Sequence, residues 1–156
     1  MYTLTAARVL HVLGVVLWIG GVAFVTTVLL PAARRRADAA EAAALFDELE
    51  KGFAWQARGT TLLVGATGFT MTWLLDGWDR FEHQRFWWMH AMVLVWVLFT
   101  IVLFVLEPLF LHDWFRRRTA RDATATLRLV HRLHIGLLVL SLVTIAGAVA
   151  GAHGMI

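Results

Sequence analysis

The chain has 156 residues, of which 60% are hydrophobic and 16% are charged, and its formal net charge is +3. A soluble domain of this length cannot bury so large a share of apolar residues, so the composition excludes an ordinary globular protein and predicts a membrane protein. The chain contains no cysteine, which excludes disulfides, iron–sulfur clusters, covalently attached haem and thiolate metal sites.

Four apolar stretches approach the length of about 20 residues that a helix needs to cross a bilayer. They predict an all-α membrane protein, in which residues 1–156 form a single four-helix transmembrane bundle. The predicted spans cover about 6–31, 59–78, 86–111 and 127–152. Between the first two spans, the alanine-rich residues 34–59 predict a helix that extends span one or lies along the inner surface. In span three, Pro108 predicts a kink, and Glu107 is expected to pair with Arg58 or Arg132.

Basic residues are distributed unevenly between the two sides of the predicted bundle. Short cytoplasmic loops carry an excess of arginine and lysine. This excess lies between spans one and two and between spans three and four, at Arg34, Arg35, Arg36, Lys51, Arg58, Arg116, Arg117, Arg118, Arg121, Arg128 and Arg132. Both termini are therefore predicted outside a bacterial inner membrane, on the periplasmic side of a multi-pass protein. The sequence pI of about 10.5 reflects this topology, and nucleic-acid binding is not predicted.

Several histidines lie inside the predicted spans, where an ionisable side chain is costly and suggests function. With a rise of about 1.5 Å per residue, His11 in span one and His90 in span three lie at nearly the same depth below the outer surface. His153, near the end of span four, falls in the same layer. A second group on the inner side consists of His112, His131 and His134. The matched depth of the first two rings predicts that they share a ligand.

Haem b is the predicted shared ligand, because haem iron takes two axial imidazoles and the macrocycle fits an apolar slot between helices. Two arginines at the outer edge suit the propionate carboxylates. A tryptophan lies two turns deeper on the face of the first histidine, and small residues allow the close backbone approach that opens a slot. The predicted cofactor-binding residues are therefore His11, His90, Arg8, Arg85, Trp18 and Gly14.

Two alternatives remain open on the residues alone. The first is a copper site, in which the three outer histidines act as ligands together with two methionines of span three. These candidate ligands are His11, His90, His153, Met89 and Met92. The inner histidines are a weaker candidate for a second haem or metal site, since their arginine-rich surroundings equally suit a solvated face. The second alternative is a structural subunit without a cofactor, whose histidines only hydrogen-bond between helices.

The stretch HVLGVVLWIGGVAF, which begins at His11 and includes Trp18, Gly20 and Gly21, resembles the first helix of copper-resistance D-like (CopD-like) membrane proteins and of the related HemJ-type protoporphyrinogen oxidases. The resemblance covers span one and the four-helix layout. It implies a small helical-bundle membrane protein with haem b and a haem-associated histidine in the first helix. A HemJ-type protein is expected to carry a lysine early in span three, where this chain has His90. This departure favours a bis-histidine haem over porphyrinogen oxidation.

The sequence therefore predicts an integral membrane b-type haem protein of the cytochrome b kind. Such a protein carries electrons between a membrane quinol and an outer-side redox partner, or acts as a haem-dependent oxidoreductase. Copper binding or transport of the CopD-like type and HemJ-like protoporphyrinogen oxidase activity are the alternatives. Membrane lipid surrounds the bundle, and the glycine-lined helix faces favour a homodimer.

Overall fold

The computed structural model describes residues 2–36 and 38–155, and all regular structure in these residues is helical. This confirms the all-α prediction. The α-helices are α1 (Tyr2–Phe24), α2 (Leu30–Arg34), α3 (Ala39–Leu74), α4 (Trp87–Ile101), α5 (His112–Arg121) and α6 (Ala123–Ala152). Two π-helical segments, Val25–Leu29 and Val102–Leu111, join α1 to α2 and α4 to α5, and two 3-10 helices, Asp79–Glu82 and Gln84–Phe86, precede α4.

Three helical stretches among the described residues are long and apolar enough to cross a membrane. They are Tyr2–Arg34, Gln84–Arg121 and Ala123–Ala152. These helices support the prediction of a multi-pass membrane protein. Helix α3 is not among them, because its first half is rich in charged residues and its second half carries threonines and glycines that dilute the apolar side chains.

The residues between the first two predicted spans form the first half of α3. Asp38 caps this helix, since its Oδ1 accepts hydrogen bonds from the backbone N–H groups of Ala40 at 2.8 Å and Glu41 at 3.2 Å. From there α3 continues without a break to Leu74. The prediction of a helix here is confirmed. Of its two expected placements, the extension of span one is wrong, because the helix begins anew after Asp38 and continues into the second predicted span.

The helices pack as two pairs, with the most extensive contacts between α1 and α3 and between α4 and α6. A central cluster joins the pairs, and in it the Trp18 and Phe99 rings meet edge to face with their centroids 4.9 Å apart. A second cluster, which includes Leu30, Phe46 and Leu127, lies toward the other end. Many large apolar side chains point outward, as expected of helices whose surroundings are lipid.

The cluster that includes Leu30, Phe46 and Leu127 lies at the arginine-rich end of the molecule. We use this name for the end that contains α2, α5, the first half of α3 and the first turns of α6. The outer end is the opposite one, where α1 begins, α6 ends and the 3-10 helices lie.

Candidate functional site

His11 lies in the first half of α1, nine residues after Tyr2, and is half-buried against α3. Its Nδ1 lies 3.1 Å from the Val64 carbonyl oxygen and 3.1 Å from Thr67 Oγ1. A carbonyl oxygen only accepts, so Nδ1 carries the proton and donates it. The Thr67 hydroxyl donates its own hydrogen to the Leu63 carbonyl at 2.6 Å and can therefore accept from His11. The neutral ring keeps a lone pair on Nε2, which is the atom available to a metal ion or haem iron.

Gly68 provides the space for this ring. A Cβ added at Gly68 would lie 3.2 Å from His11 Cε1, which is closer than side chains normally approach. One face of α3 thus positions the imidazole through a backbone carbonyl, a hydroxyl and a missing side chain. Val64 and Thr67 could not be predicted as partners of His11, because hydrophobic patterning does not specify which helix faces meet.

His90 has different neighbours. It lies on the exposed side of α4, and its ring meets the Phe81 ring edge to face, with the centroids 5.3 Å apart. The preceding residue, Met89, is buried, so the two side chains leave α4 on different sides. The structure therefore packs His11 against α3 and His90 against the 3-10 helix that contains Phe81.

The other residues predicted for the outer site are spread over this end. Arg8 is exposed, and the Arg85 guanidinium lies 4.6 Å above the centroid of the Phe86 ring. Trp18 is almost fully buried, and its Nε1 has no hydrogen-bond partner in residues 2–36 and 38–155. His153 is exposed just after α6, where its Nδ1 donates to the Val149 carbonyl at 2.8 Å.

Gly14, which was predicted to line the haem slot, and glycines of α3 and α6 receive side chains from neighbouring helices. A Cβ at Gly14 would lie 2.9 Å from Val64 Cγ2, and Gly65 faces the indole of Trp96. In α6, Gly147 faces Trp87 and Gly151 faces Trp88. The four side chains that contact these glycines are thus one aliphatic and three aromatic. In this structure the glycines allow close packing of bulky residues between helices.

The first π-helical segment leaves one backbone carbonyl without a helical donor. In a π-helix each N–H bonds the carbonyl five residues before it, and the Leu30 N–H donates to the Val25 carbonyl in this way. The next donor would be residue 31, but Pro31 has no N–H. His131 of α6 supplies the missing donor, since its Nε2 lies 3.0 Å from the Thr26 carbonyl oxygen.

The same contact determines which ring nitrogen of His131 donates. Because Nε2 donates to the Thr26 carbonyl, the neutral ring has its lone pair on Nδ1. Arg34 Nη1 lies 2.8 Å from that atom and donates to it. Both ring nitrogens therefore have protein partners, and a metal ion at His131 would have to displace one of them.

The second π-helical segment repeats this arrangement at Pro108. In π-helical register the donor for the Leu103 carbonyl would be Pro108, which has no N–H. Arg58 of α3 donates to that carbonyl from Nε at 3.0 Å, and its Nη2 pairs with Glu107. The predicted pairing of Arg58 with Glu107 is confirmed. Each proline is therefore accompanied by a side chain from another helix that bonds the carbonyl five residues before it.

The remaining histidines of the arginine-rich end have separate partners. His134 Nδ1 donates to the Val130 carbonyl of its own helix at 2.9 Å, and its ring meets Phe46 edge to face. His112 Nδ1 lies 3.5 Å from Asp47 Oδ1. Within the part of the chain that the structure describes, no group of three or more histidine, aspartate or glutamate side chains is arranged to hold a metal ion.

Comparisons of the chain with protein-family models, with curated proteins and with solved structures gave no match. The resemblance of span one to the CopD-like and HemJ-type proteins therefore stays a prediction from the residues of that helix. The indications of function therefore lie in the sites themselves. At the outer end these offer an imidazole held by α3 with its Nε2 lone pair available.

Proposed function

We propose that the chain crosses a bacterial inner membrane four times and that both termini lie outside. Three crossings are the helices of membrane length. The fourth is α3, which lies antiparallel to α1, with Gly14 against Val64 and Gly21 against Phe53. A helix that lies alongside a crossing helix over this length occupies the same layer of the membrane. With this topology the arginine-rich end faces the cytoplasm.

We further propose that His11 is an axial ligand of haem b near the outer surface. The hydrogen bonds of its Nδ1 are the observation that carries this proposal. In ligating histidines the second ring N–H is commonly held by a carbonyl or carboxylate, which fixes the tautomer and leaves the other nitrogen bare. Val64 and Thr67 do this for His11. The residues present therefore fit one axial position.

The second axial position is assigned to His90 as part of the same proposal. Its ring is exposed and meets the Phe81 ring edge to face, and in this proposal it would leave Phe81 to share a ligand with His11. Arg8 and Arg85 lie at the same end, where their guanidinium groups can pair with propionate carboxylates. When bound, haem supplies one-electron redox chemistry, which suits transfer between a membrane quinol and an outer-side acceptor.

The test is the absorption spectrum of the purified protein in detergent, before and after reduction with dithionite. We expect a Soret band and sharp reduced α and β bands, and we expect His11→Ala to abolish them. His153→Ala is the matched control, because that exposed ring bonds a carbonyl of the preceding turn of its own helix. A colourless wild-type protein, even after reconstitution with haemin, would contradict the proposal.

Copper is the alternative occupant, because a bare imidazole nitrogen also suits Cu(I) and Cu(II). Stoichiometric copper in a colourless reduced protein, lost in His11→Ala, would select it over haem. Met89 does not strengthen this alternative, since it is buried while His90 is exposed.

A further inference from the structure

A groove of about 660 Å³ opens at the arginine-rich end, where the second π-helical segment, α5 and the first turn of α6 meet. Its lining includes three large apolar and three basic side chains. These are Leu109, Phe110 and Trp114, and Arg117, Arg118 and Arg121. The groove lies far along the chain from the outer histidines and has no part in the proposed haem site.

Apolar and basic side chains are separated along this groove. Phe110, Trp114, Arg117, Arg118 and Arg121 recur at helical spacing and so share one stripe. From Trp114 to Arg121 the helix rises about 10 Å, and the side chains change from apolar to cationic over that distance. The apolar end is open, since Phe110 is 61% exposed. A phospholipid has the same polarity along its length, with acyl chains followed by a phosphate.

The three guanidinium groups are not neutralised by ion pairs in the described parts of the chain. The Arg118 guanidinium lies 5.6 Å above the Trp114 ring centroid, and the ion pairs that the described residues form at this end involve other side chains. Two carboxylates also line the groove, those of Asp113 and Asp122. Asp122 Oδ1 accepts from the Ala125 N–H at 2.8 Å and so caps α6. The cations outnumber the carboxylates, which leaves a positive excess.

Membrane topology alone does not account for this arrangement. The positive-inside tendency requires only that arginines lie on one side, and Arg128 satisfies it from an exposed position of α6 outside the groove. It does not require three arginines to share an open groove with Phe110 and Trp114. We propose that the groove binds an anionic phospholipid, with its arginines donating to the headgroup phosphate and its apolar side chains contacting an acyl chain.

Native mass spectrometry of the full chain in detergent tests this proposal. The protein is titrated with phosphatidylglycerol or with phosphatidylcholine of the same acyl chains, and retained lipid is counted. Wild type should retain phosphatidylglycerol preferentially. Each arginine removed should weaken retention about fivefold, so Arg117→Gln combined with Arg121→Gln should nearly abolish the preference. Arg128→Gln, which changes the charge equally outside the groove, should leave it intact.

Equal retention of the two lipids by wild type would overturn the proposal, as would an equal loss in Arg128→Gln. If inorganic phosphate displaces phosphatidylglycerol at equal concentration, the occupant is a soluble anion and the lipid proposal fails. Circular dichroism checks that the double variant is helical. If it is not, Arg118→Gln replaces it, with about a fivefold loss expected and an unchanged preference contradicting the proposal.

Discussion

The His11 ring is held by groups that are far away in sequence, and each of them can be changed separately. Val64 contributes a backbone carbonyl that no substitution removes, whereas Thr67 contributes a hydroxyl. Substitution of Thr67 can therefore test whether this hydroxyl orients the His11 ring. Valine at this position has nearly the same volume as threonine, so we expect α3 to keep its fold.

We predict that Thr67→Val weakens haem binding about tenfold, because partners of the second ring nitrogen typically contribute that much to ligand affinity. Titration of the haem-free protein with haemin, followed at the Soret band, measures the effect. Thr70→Val is the matched control, since the Thr70 hydroxyl donates to the Ala66 carbonyl within its own helix. Equal affinities for the two variants would show that the Thr67 contact does not serve a ligand.

At this scale the sequence predicted the residues but not their partners. His11 was identified because an imidazole inside an apolar span is unusual. Glu107 was expected to pair with Arg58 or Arg132, and only the structure selects Arg58. Val64 and Thr67 could not be identified, since they lie 53 and 56 residues from His11 and no local pattern relates these segments. The contact between His131 and Thr26, 105 residues apart, was missed for the same reason.

Two continuous helical stretches contain a proline and share one hydrogen-bonding arrangement. They are Tyr2–Arg34, the first rod, and Gln84–Arg121, the second rod. A proline removes a donor, the helix shifts to π-helical register, and a side chain from another helix bonds the carbonyl left without a partner. In the first rod the carbonyl is that of Thr26 and the donor is His131. An unpaired buried carbonyl costs about 1–3 kcal/mol. The free energy of unfolding should therefore depend both on the histidine that donates and on the proline that removes the backbone donor.

We predict that His131→Ala destabilises the protein by about 1–3 kcal/mol and that Pro31→Ala removes at least half of this cost. Alanine at position 31 restores the backbone N–H that the Thr26 carbonyl lacks. Thermal unfolding of the four proteins of this double-mutant cycle measures the coupling. Pro108→Ala is the control, because it restores a donor in the other rod. If the effects of His131→Ala and Pro31→Ala on the free energy of unfolding were additive, His131 would not be replacing the donor that Pro31 lacks.

The boundaries of the helices were predicted less well than their existence. Apolar runs located the long helices, whereas the start of α3 was missed although its signal is present in the sequence. Asp38 followed by Glu41 is an N-cap pattern, and Asp38 does cap the helix. The alanine-rich residues around it favour a helix in either direction, so their composition could not decide which span they continue.

The number of crossings is a property of the whole molecule, and the absence of cysteine makes it accessible to labelling. We predict that Tyr2→Cys and Met155→Cys, at positions 93% and 78% exposed, both react with an impermeant maleimide added to intact spheroplasts. Ala120→Cys at the arginine-rich end should react only after lysis. If α3 did not cross, the chain would cross three times, and the two terminal cysteines would lie on opposite sides.

The two proline-associated carbonyls meet their donors at different times during synthesis. Arg58 is synthesised before Leu103, so this donor is present when the Leu103 carbonyl is made. Thr26 emerges more than a hundred residues ahead of His131, and an unpaired buried carbonyl costs about 1–3 kcal/mol. The first rod therefore completes its hydrogen bonding only after α6 has been synthesised and packed. A chain that ends before α6 would leave the Thr26 carbonyl without this donor.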